Sequence, residues 1–319
     1  MMIILLVAVL LDSIIGDPDF VWRKIKHPVT WMSNLLMIGE RCLNNRDHEA
    51  LILKISGLIW IITCCFICFI VANTIQNLTF TADASGLLLA IIISIFLAYR
   101  SLLDHVKSVN KSILTSNSVR MRAELSKIVG RETKYLDEKS ITRATIETLA
   151  ENFSDGFVAP VFWFLIAGLP GIVVYKMINT ADSMIGNKTE RFIYFGWASA
   201  KIDDAANYIP ARITAIIFSL AALVIMKKNG IKGLKVAFRD SGLHASPNAG
   251  WPEASMAGIL GVKLGGPRIY PNGNIKDTAW LGDGEEILAH HLDQAIKIVN
   301  SSWAMLVSFV LAGALYEAF

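Results

Sequence analysis

Charge is what this sequence has least of. Only 18% of its 319 residues are Asp, Glu, Lys or Arg, against roughly a quarter in soluble domains. With 54% hydrophobic residues and a mean hydropathy of +0.49, that scarcity excludes an ordinary soluble enzyme. The charges nearly cancel: 30 Lys plus Arg against 27 Asp plus Glu leave a formal +3, too balanced for a nucleic-acid partner. Disorder is excluded by the same apolar composition. Cysteine is scarce too, four in all. Cys42 stands alone, and Cys64, Cys65 and Cys68 lie in an apolar run with no fourth ligand or histidine beside them. They read as packing residues, not as a metal site or a disulfide framework. Internal repeats, low-complexity tracts and flexible linkers are absent as well.

What is present is apolar sequence gathered into stretches of about the length a bilayer-spanning helix needs. Residues 55–72, 157–175 and 298–316 are uncharged, 86–103 carries only Arg100, which can snorkel, and 209–226 carries Arg212 near its start. The opening run, 1–15, is short and contains Asp12, which reads as re-entrant or tilted into the interface. It lacks a basic n-region and a small-residue cleavage site, so it is expected to be retained. No Lys or Arg falls within 73–85, which places that loop outside by the positive-inside rule. Strict alternation then puts either 176–208 or the basic segment 227–297 outside as well. A break at Gly168-Leu169-Pro170-Gly171 can instead fold its run into a hairpin and change the parity. The expectation is an all-α polytopic membrane protein with five to six transmembrane or re-entrant helices, one domain over 1–319. Between the spans lie a helical polar segment, 104–155, and a Gly- and Pro-rich loop, 227–291, suited to gripping a ligand.

Polar groups at or within membrane spans are costly, which makes them functional candidates. Asn179, Asp182 and Ser183 share one helical face by their i, i+3, i+4 spacing, and Asp203, Asp204 and Asn207 precede the 209–226 run. Asp182, Asp203 and Asp204 together form a Mg²⁺ site in this reading, since that ion is commonly held by one or two carboxylates plus phosphate oxygens. The alternative is helix capping with salt bridges to Arg191 and Arg212. Glu147, Glu151 and Asp155 recur at i+4, where like charges repel; Arg143 can pair with Glu147, or a cationic substrate compensates. Asp12, Asp17 and His27 form a third polar group, in which His27 is a base or a packed histidine. Glycines 261–266 do not match a P-loop, but backbone at Gly265 and Gly266 can form an anion nest.

The strings that carry these residues are Asp12 with Gly16-Asp17-Pro18, His27-Pro28-Val29, Glu151-Asn152 with Asp155-Gly156 and Ala159-Pro160, Asn179 with Asp182-Ser183-Met184 and Gly186, Phe195-Gly196-Trp197-Ala198, Asp203-Asp204 with Asn207 and Pro210-Ala211-Arg212, and Ser246-Pro247-Asn248-Ala249-Gly250-Trp251-Pro252-Glu253. In this order, over nearly the whole chain, they resemble the CbiB/CobD family of cobalamin biosynthesis. The resemblance implies a multi-pass enzyme of the cell membrane, an adenosylcobinamide-phosphate synthase, that amidates a propionate of adenosylcobyric acid with 1-amino-2-propanol or its O-phosphate, using ATP. It also implies other membrane enzymes of the corrinoid pathway as partners. A carboxylate must be activated by phosphoryl or adenylyl transfer before a free amine attacks it, which calls for Mg²⁺ on paired acids and a base. The expected roles follow: Glu151, Asp155, His27 and Asn152 as catalytic groups; Asp17, Asn179, Ser183, Arg191, Asn207, Asn248, Trp251, Glu253, Gly265 and Gly266 on substrates. Trp251, Trp197 and Tyr270 either line the corrinoid face or anchor the protein at the interface.

Two other classes fit the composition. A membrane transferase acting on prenyl or lipid phosphates also uses acidic helices, but the CDP-alcohol phosphotransferase pattern needs an Arg after its Asp-Gly and two aspartates four apart; here Asp155-Gly156 leads to Ala159-Pro160, and Asp203 and Asp204 are adjacent. A signalling role is implied by the likeness of a more distant branch of the same family to AmpE proteins.

Overall fold

The computed structural model describes the chain except residues 46, 84, 131, 228, 270–274 and 277. The helices run in order α1 (Met2–Ile15), α2 (Asp19–Trp22), α3 (Pro28–Leu43), α4 (Ala50–Ala82), α5 (Leu87–Ser94), α6 (Tyr99–Leu114), α7 (Ser118–Leu125), α8 (Glu138–Phe153), a π-helical turn (Ser154–Val158), α9 (Ala159–Ile185), α10 (Trp197–Ala206), α11 (Tyr208–Met226), α12 (Gly230–Asp240), α13 (Gly250–Leu260) and α14 (Ala289–Ala318). Two short antiparallel ribbons precede α14: β1 (Leu264–Gly265) pairs with β4 (Trp280–Leu281), and β2 (Arg268–Ile269) with β3 (Ile275–Lys276). Five helical stretches are long and apolar enough to cross a membrane: Ala50–Ala82, Leu87–Leu114, Glu138–Ile185, Tyr208–Met226 and Ala289–Ala318. The protein is a multi-pass, helical membrane protein. Its residues gather into two compact units, Met1–Leu97 with Ala159–Asn207, and Ala98–Val158 with Tyr208–Phe319.

In the first unit α1 packs on α5, and α4 packs on α3, α9 and α10. Helix α4 extends ten residues past the expected span end at 72, because Asn73, Gln76 and Asn77 are uncharged amides that leave its backbone hydrogen bonds intact. Helix α9 is broken as expected. Ala167 (φ −140°, ψ 18°) and Gly168 (φ 63°, ψ −148°) leave helical space, and Ala159 and Tyr175 meet in one buried cluster with Ala206. Sixteen residues along a straight helix span about 24 Å, so residues 159–166 and 169–185 fold back as a hairpin. Gly168 is required by its positive φ and by Gln76, whose Oε1 would lie 2.5 Å from a Cβ there. That same Oε1 accepts the Leu169 N–H at 2.8 Å, satisfying a backbone donor that the break orphans.

One expected span does not form as a single helix. The 86–103 run breaks after α5, the chain turns through 95–98, and α6 begins at Tyr99. The Ala98 N–H donates to the Gly156 carbonyl (3.0 Å), on the π turn, instead of continuing an α-helical ladder.

In the second unit α8, α11, α12, α13 and α14 share a core, with Phe153, Phe157 and Phe218 stacked at 5.5 Å and Tyr99 stacked on Trp303 at 5.0 Å. A polar seam joins α6 to α14: Asn110 donates to Asp293 (2.7 Å) and Tyr99 to Asn300 (3.0 Å). The 227–291 segment, expected as a loop, holds two helices. Helix α13 buries every residue but Trp251, and its small residues let α12 approach closely at Gly233 and Gly258. Its Gly and Pro mark the start of a helix, where they are tolerated.

Candidate active site

The site with the most unusual electrostatics lies in the first unit, at the second arm of α9 and α10. The i, i+3 face of α9 carries Asn179 and Asp182, and Gly186 allows Asp182 to fold over the helix end, since a Cβ there would collide with its Oδ1. From α10 comes Asp203. Asn207 donates to Asp203 Oδ2 at 3.0 Å and accepts from the Tyr175 hydroxyl at 2.9 Å. The other oxygen, Asp203 Oδ1, is buried without a hydrogen-bond partner. Burial pushes the Asp203 carboxyl up to about 7, and the neighbouring Asp182 and Asp204 add to the rise, while the hydrogen bond from Asn207 and the nearby Asn179 amide pull the other way. A carboxylate held so far from its ordinary range, with one oxygen unsatisfied, marks a site for a cation or a proton.

Asp204 turns to Lys201 at 3.2 Å. Among the described residues no three His, Cys, Asp or Glu side chains come close enough to enclose a metal by themselves. Of the expected set Asp182, Asp203 and Asp204, all three feel one another's charge, and Asp204 is also paired with Lys201. That donor set suits Mg²⁺, which keeps water or phosphate oxygens in its remaining positions.

Other expected residues are placed differently. Arg191 forms an ion pair with Glu40, and Arg212 lies over the rings of Tyr208 and Trp251 at 3.4 and 4.7 Å; these are the contacts of the two arginines in place of salt bridges to the aspartates. Ser183 is exposed and donates to the Asn179 carbonyl. His27 caps α3: its Nδ1 accepts from the Val29 N–H at 3.2 Å, and its Nε2 lies 3.8 Å from Asp17. Burial lowers its pKa, opposed by Asp17, so a neutral imidazole protonated at Nε2 faces that carboxylate. Asp12 is buried in α1.

In the second unit Glu147 is buried and accepts the Gly265 N–H at 2.7 Å, while the Gly266 N–H goes to the Ala279 carbonyl. The anion nest expected at Gly265 and Gly266 is thus filled by the chain's own carboxylate and carbonyl. Arg143 lies over the Trp280 ring at 4.7 Å. Glu151 and Asp155 are half-buried and Asn152 exposed. Asp155 falls in the π turn, a feature often found at functional sites, so the i+4 register from Glu147 stops at Glu151. The Ser246 hydroxyl accepts from the N–H groups of Asn248 and Ala249, and the Ser246 N–H donates to His244 Nδ1. His244 Nε2 lies 3.8 Å from the buried Glu253, and Trp251 packs edge-on against Phe238. Trp197 lies under Lys54 in the first unit; Tyr270 is outside the described residues.

Three residues that hold the α9–α10 site escaped the sequence reading: Tyr175, Trp163 and Gln76. A signal existed for Tyr175, which sits four residues before Asn179 on the same face. Gln76 was legible only as an amide in an apolar run.

The profile of the CobD/Cbib protein family matches residues 5–299. The chain belongs to the CobD/Cbib family. It is 41% identical to a "cobalamin biosynthesis protein CobD" of Sinorhizobium sp over 317 residues, 98% of each chain. Against the protein of that name from Brucella anthropi it is 40% identical, covering 98% of this chain and 97% of the relative. Against that of Rhodobacter capsulatus it is 42% identical over 278 residues, 87% and 85% of the two chains. No solved structure matches.

Proposed function

We propose that this protein acts in cobalamin biosynthesis as an amide-forming ligase of the cell membrane, condensing a propionate of adenosylcobyric acid with 1-amino-2-propanol or its O-phosphate at the expense of ATP. Family membership supports the pathway. The single structural observation that supports the chemistry is Asp203, half-buried beside Asp182 with its Oδ1 enclosed and unsatisfied. Asp182 and Asp203 would hold Mg²⁺, which supplies neutralisation of phosphate charge. Asn179 and Asn207 fix the carboxylates for it.

The reaction proceeds in two steps. The propionate oxygen takes a phosphoryl or adenylyl group from ATP, releasing ADP or diphosphate. The amine nitrogen then attacks the activated carbonyl carbon, the C–O bond to phosphate or AMP breaks, and the nitrogen gives up a proton. Glu151 or Asp155 accepts that proton, Asn152 donates to the carbonyl oxygen, and Trp251 offers the corrinoid an apolar face. His27 assists through its pairing with Asp17. The test uses purified protein with Mg-ATP, adenosylcobyric acid and hydroxylamine, which traps an activated acyl group as a hydroxamate. Wild type is expected to form it, and Asp182→Asn and Asp203→Asn are expected not to. Wild-type yields from both variants would remove the pair from the activation step.

A further inference from the structure

The Tyr175 hydroxyl is buried on the second arm of α9, one turn before Asn179, in a residue 1% exposed. It donates to Asn207 Oδ1 (2.9 Å), and Asn207 donates onward to Asp203 Oδ2 (3.0 Å). The direction of this chain is set at its far end. An Asp203 that holds a cation is ionised and can only accept, so Asn207 then turns its NH₂ toward it, which leaves its carbonyl to accept from the phenol. One oxygen of Asp203 is thereby occupied, and the other, Oδ1, is buried with no partner. The hairpin reaches the same end of α10 a second time: Trp163 Nε1 on the first arm donates to the Ala206 carbonyl at 3.1 Å. The two contacts differ in kind, since Trp163 holds backbone and Tyr175 sets the orientation of a side chain.

We infer that Tyr175 is a positioning residue for the divalent-cation site, locking the Asn207 amide so that Asp203 keeps Oδ2 occupied and presents Oδ1 to the ion. The inference rests on the reading that Asp182 and Asp203 hold Mg²⁺, and it adds how that pair is oriented. Without the hydroxyl the Asn207 amide is free to flip, which would set its oxygen against the carboxylate.

The test is Mn²⁺ binding to the detergent-solubilised protein without nucleotide or corrinoid, followed by electron paramagnetic resonance. Tyr175→Phe keeps the ring that packs on Ala159 and Ala206 and removes one hydrogen bond. It should weaken Mn²⁺ binding about fivefold, the scale of one net hydrogen bond. Asn207→Ala should weaken it at least as much, and Tyr175→Phe added to Asn207→Ala should have no further effect, because the hydroxyl acts through the amide. Trp163→Phe, which loosens the same helix end without touching Asn207, should stay within twofold of wild type. The inference is overturned if Tyr175→Phe binds Mn²⁺ like wild type, if the double variant is weaker than Asn207→Ala by the same fivefold, or if Trp163→Phe weakens binding as much as Tyr175→Phe. Should Tyr175→Phe fail to fold, the pairing of Asn207→Ala with Trp163→Phe decides: equal losses overturn the inference. Failure of the underlying reading looks different. Wild type and Asp203→Asn would then both bind no Mn²⁺, and the inference falls with it.

Discussion

Arg191 closes a two-bond fork on Glu40: Nε donates to Oε1 and Nη2 to Oε2, each at 2.8 Å. The Glu40 side chain is 5% exposed and the arginine 49%, so the carboxylate depends on its partner more than the reverse. Asn44 ties the pair further, donating to Glu40 Oε1 and to the Arg191 carbonyl. This clasp fixes the segment between α9 and α10, and with it Asp203, to α3. Arg191→Ala should cost about 1–3 kcal/mol by leaving a buried carboxylate under-satisfied, and Arg191→Lys should recover only part, because an ammonium cannot reproduce the fork. Arg191 holds the Glu40 carboxyl below its ordinary 4.5. Its stabilisation is therefore complete above that value and lost as pH falls below it. Thermal melts in detergent between pH 3.5 and 7 should show this loss in wild type and its absence in Arg191→Ala.

Asp203 carries the opposite sign. An acid raised to about 7 in the fold from 3.8 contributes stability that is present at low pH and lost as pH rises through 7. Asp203→Asn should be more stable than wild type at pH 8, by on the order of 4 kcal/mol for a shift of this size. The gain should shrink toward pH 4. Differential scanning fluorimetry across that range checks it; an asparagine variant less stable than wild type at pH 8 would show that the carboxylate is a structural group and not a strained functional one.

Gln76 caps the broken helix from outside it. Gln76→Leu leaves the Leu169 N–H without its acceptor inside an apolar setting, which should lower stability by about 1–3 kcal/mol. Because Leu169 begins the arm that bears Asn179 and Asp182, activity should fall more steeply with temperature than in wild type. Equal temperature profiles would mean the hairpin holds its shape unaided.

Glu151→Gln should separate the two chemical steps. Hydroxamate trapping, which uses an amine that is already neutral at pH 7, should persist, while amide formation with aminopropanol should drop by about 10²–10⁴-fold, the range of a lost general base. A parallel fall in both would place Glu151 at activation or in folding.

Much of this architecture was legible in the residues. Uncharged runs of spanning length located α4, α9, α11 and α14, and Gly168 with Pro170 marked the fold-back, because loss of helical backbone geometry is a local property of those residues. Burial across distant segments was not legible. Nothing in Gly265 announces that its amide faces Glu147, 118 residues away, and the composition of α13 read as a loop because its small residues serve close packing. Asp203 was visible as half of a doubled Asp just before the 209–226 run, and its orientation was hidden because Tyr175 lies in an apolar run where a ring reads as core.

The most direct test is turnover of the purified protein with adenosylcobyric acid, Mg-ATP and 1-amino-2-propanol or its O-phosphate, with the corrinoid product identified by mass spectrometry. Wild type should give a product heavier than the acid by the amine minus one water, formed only with ATP and lost in Asp203→Asn. No amide from the wild-type protein with either amine, or an equal yield without ATP, would contradict the proposed ligase activity.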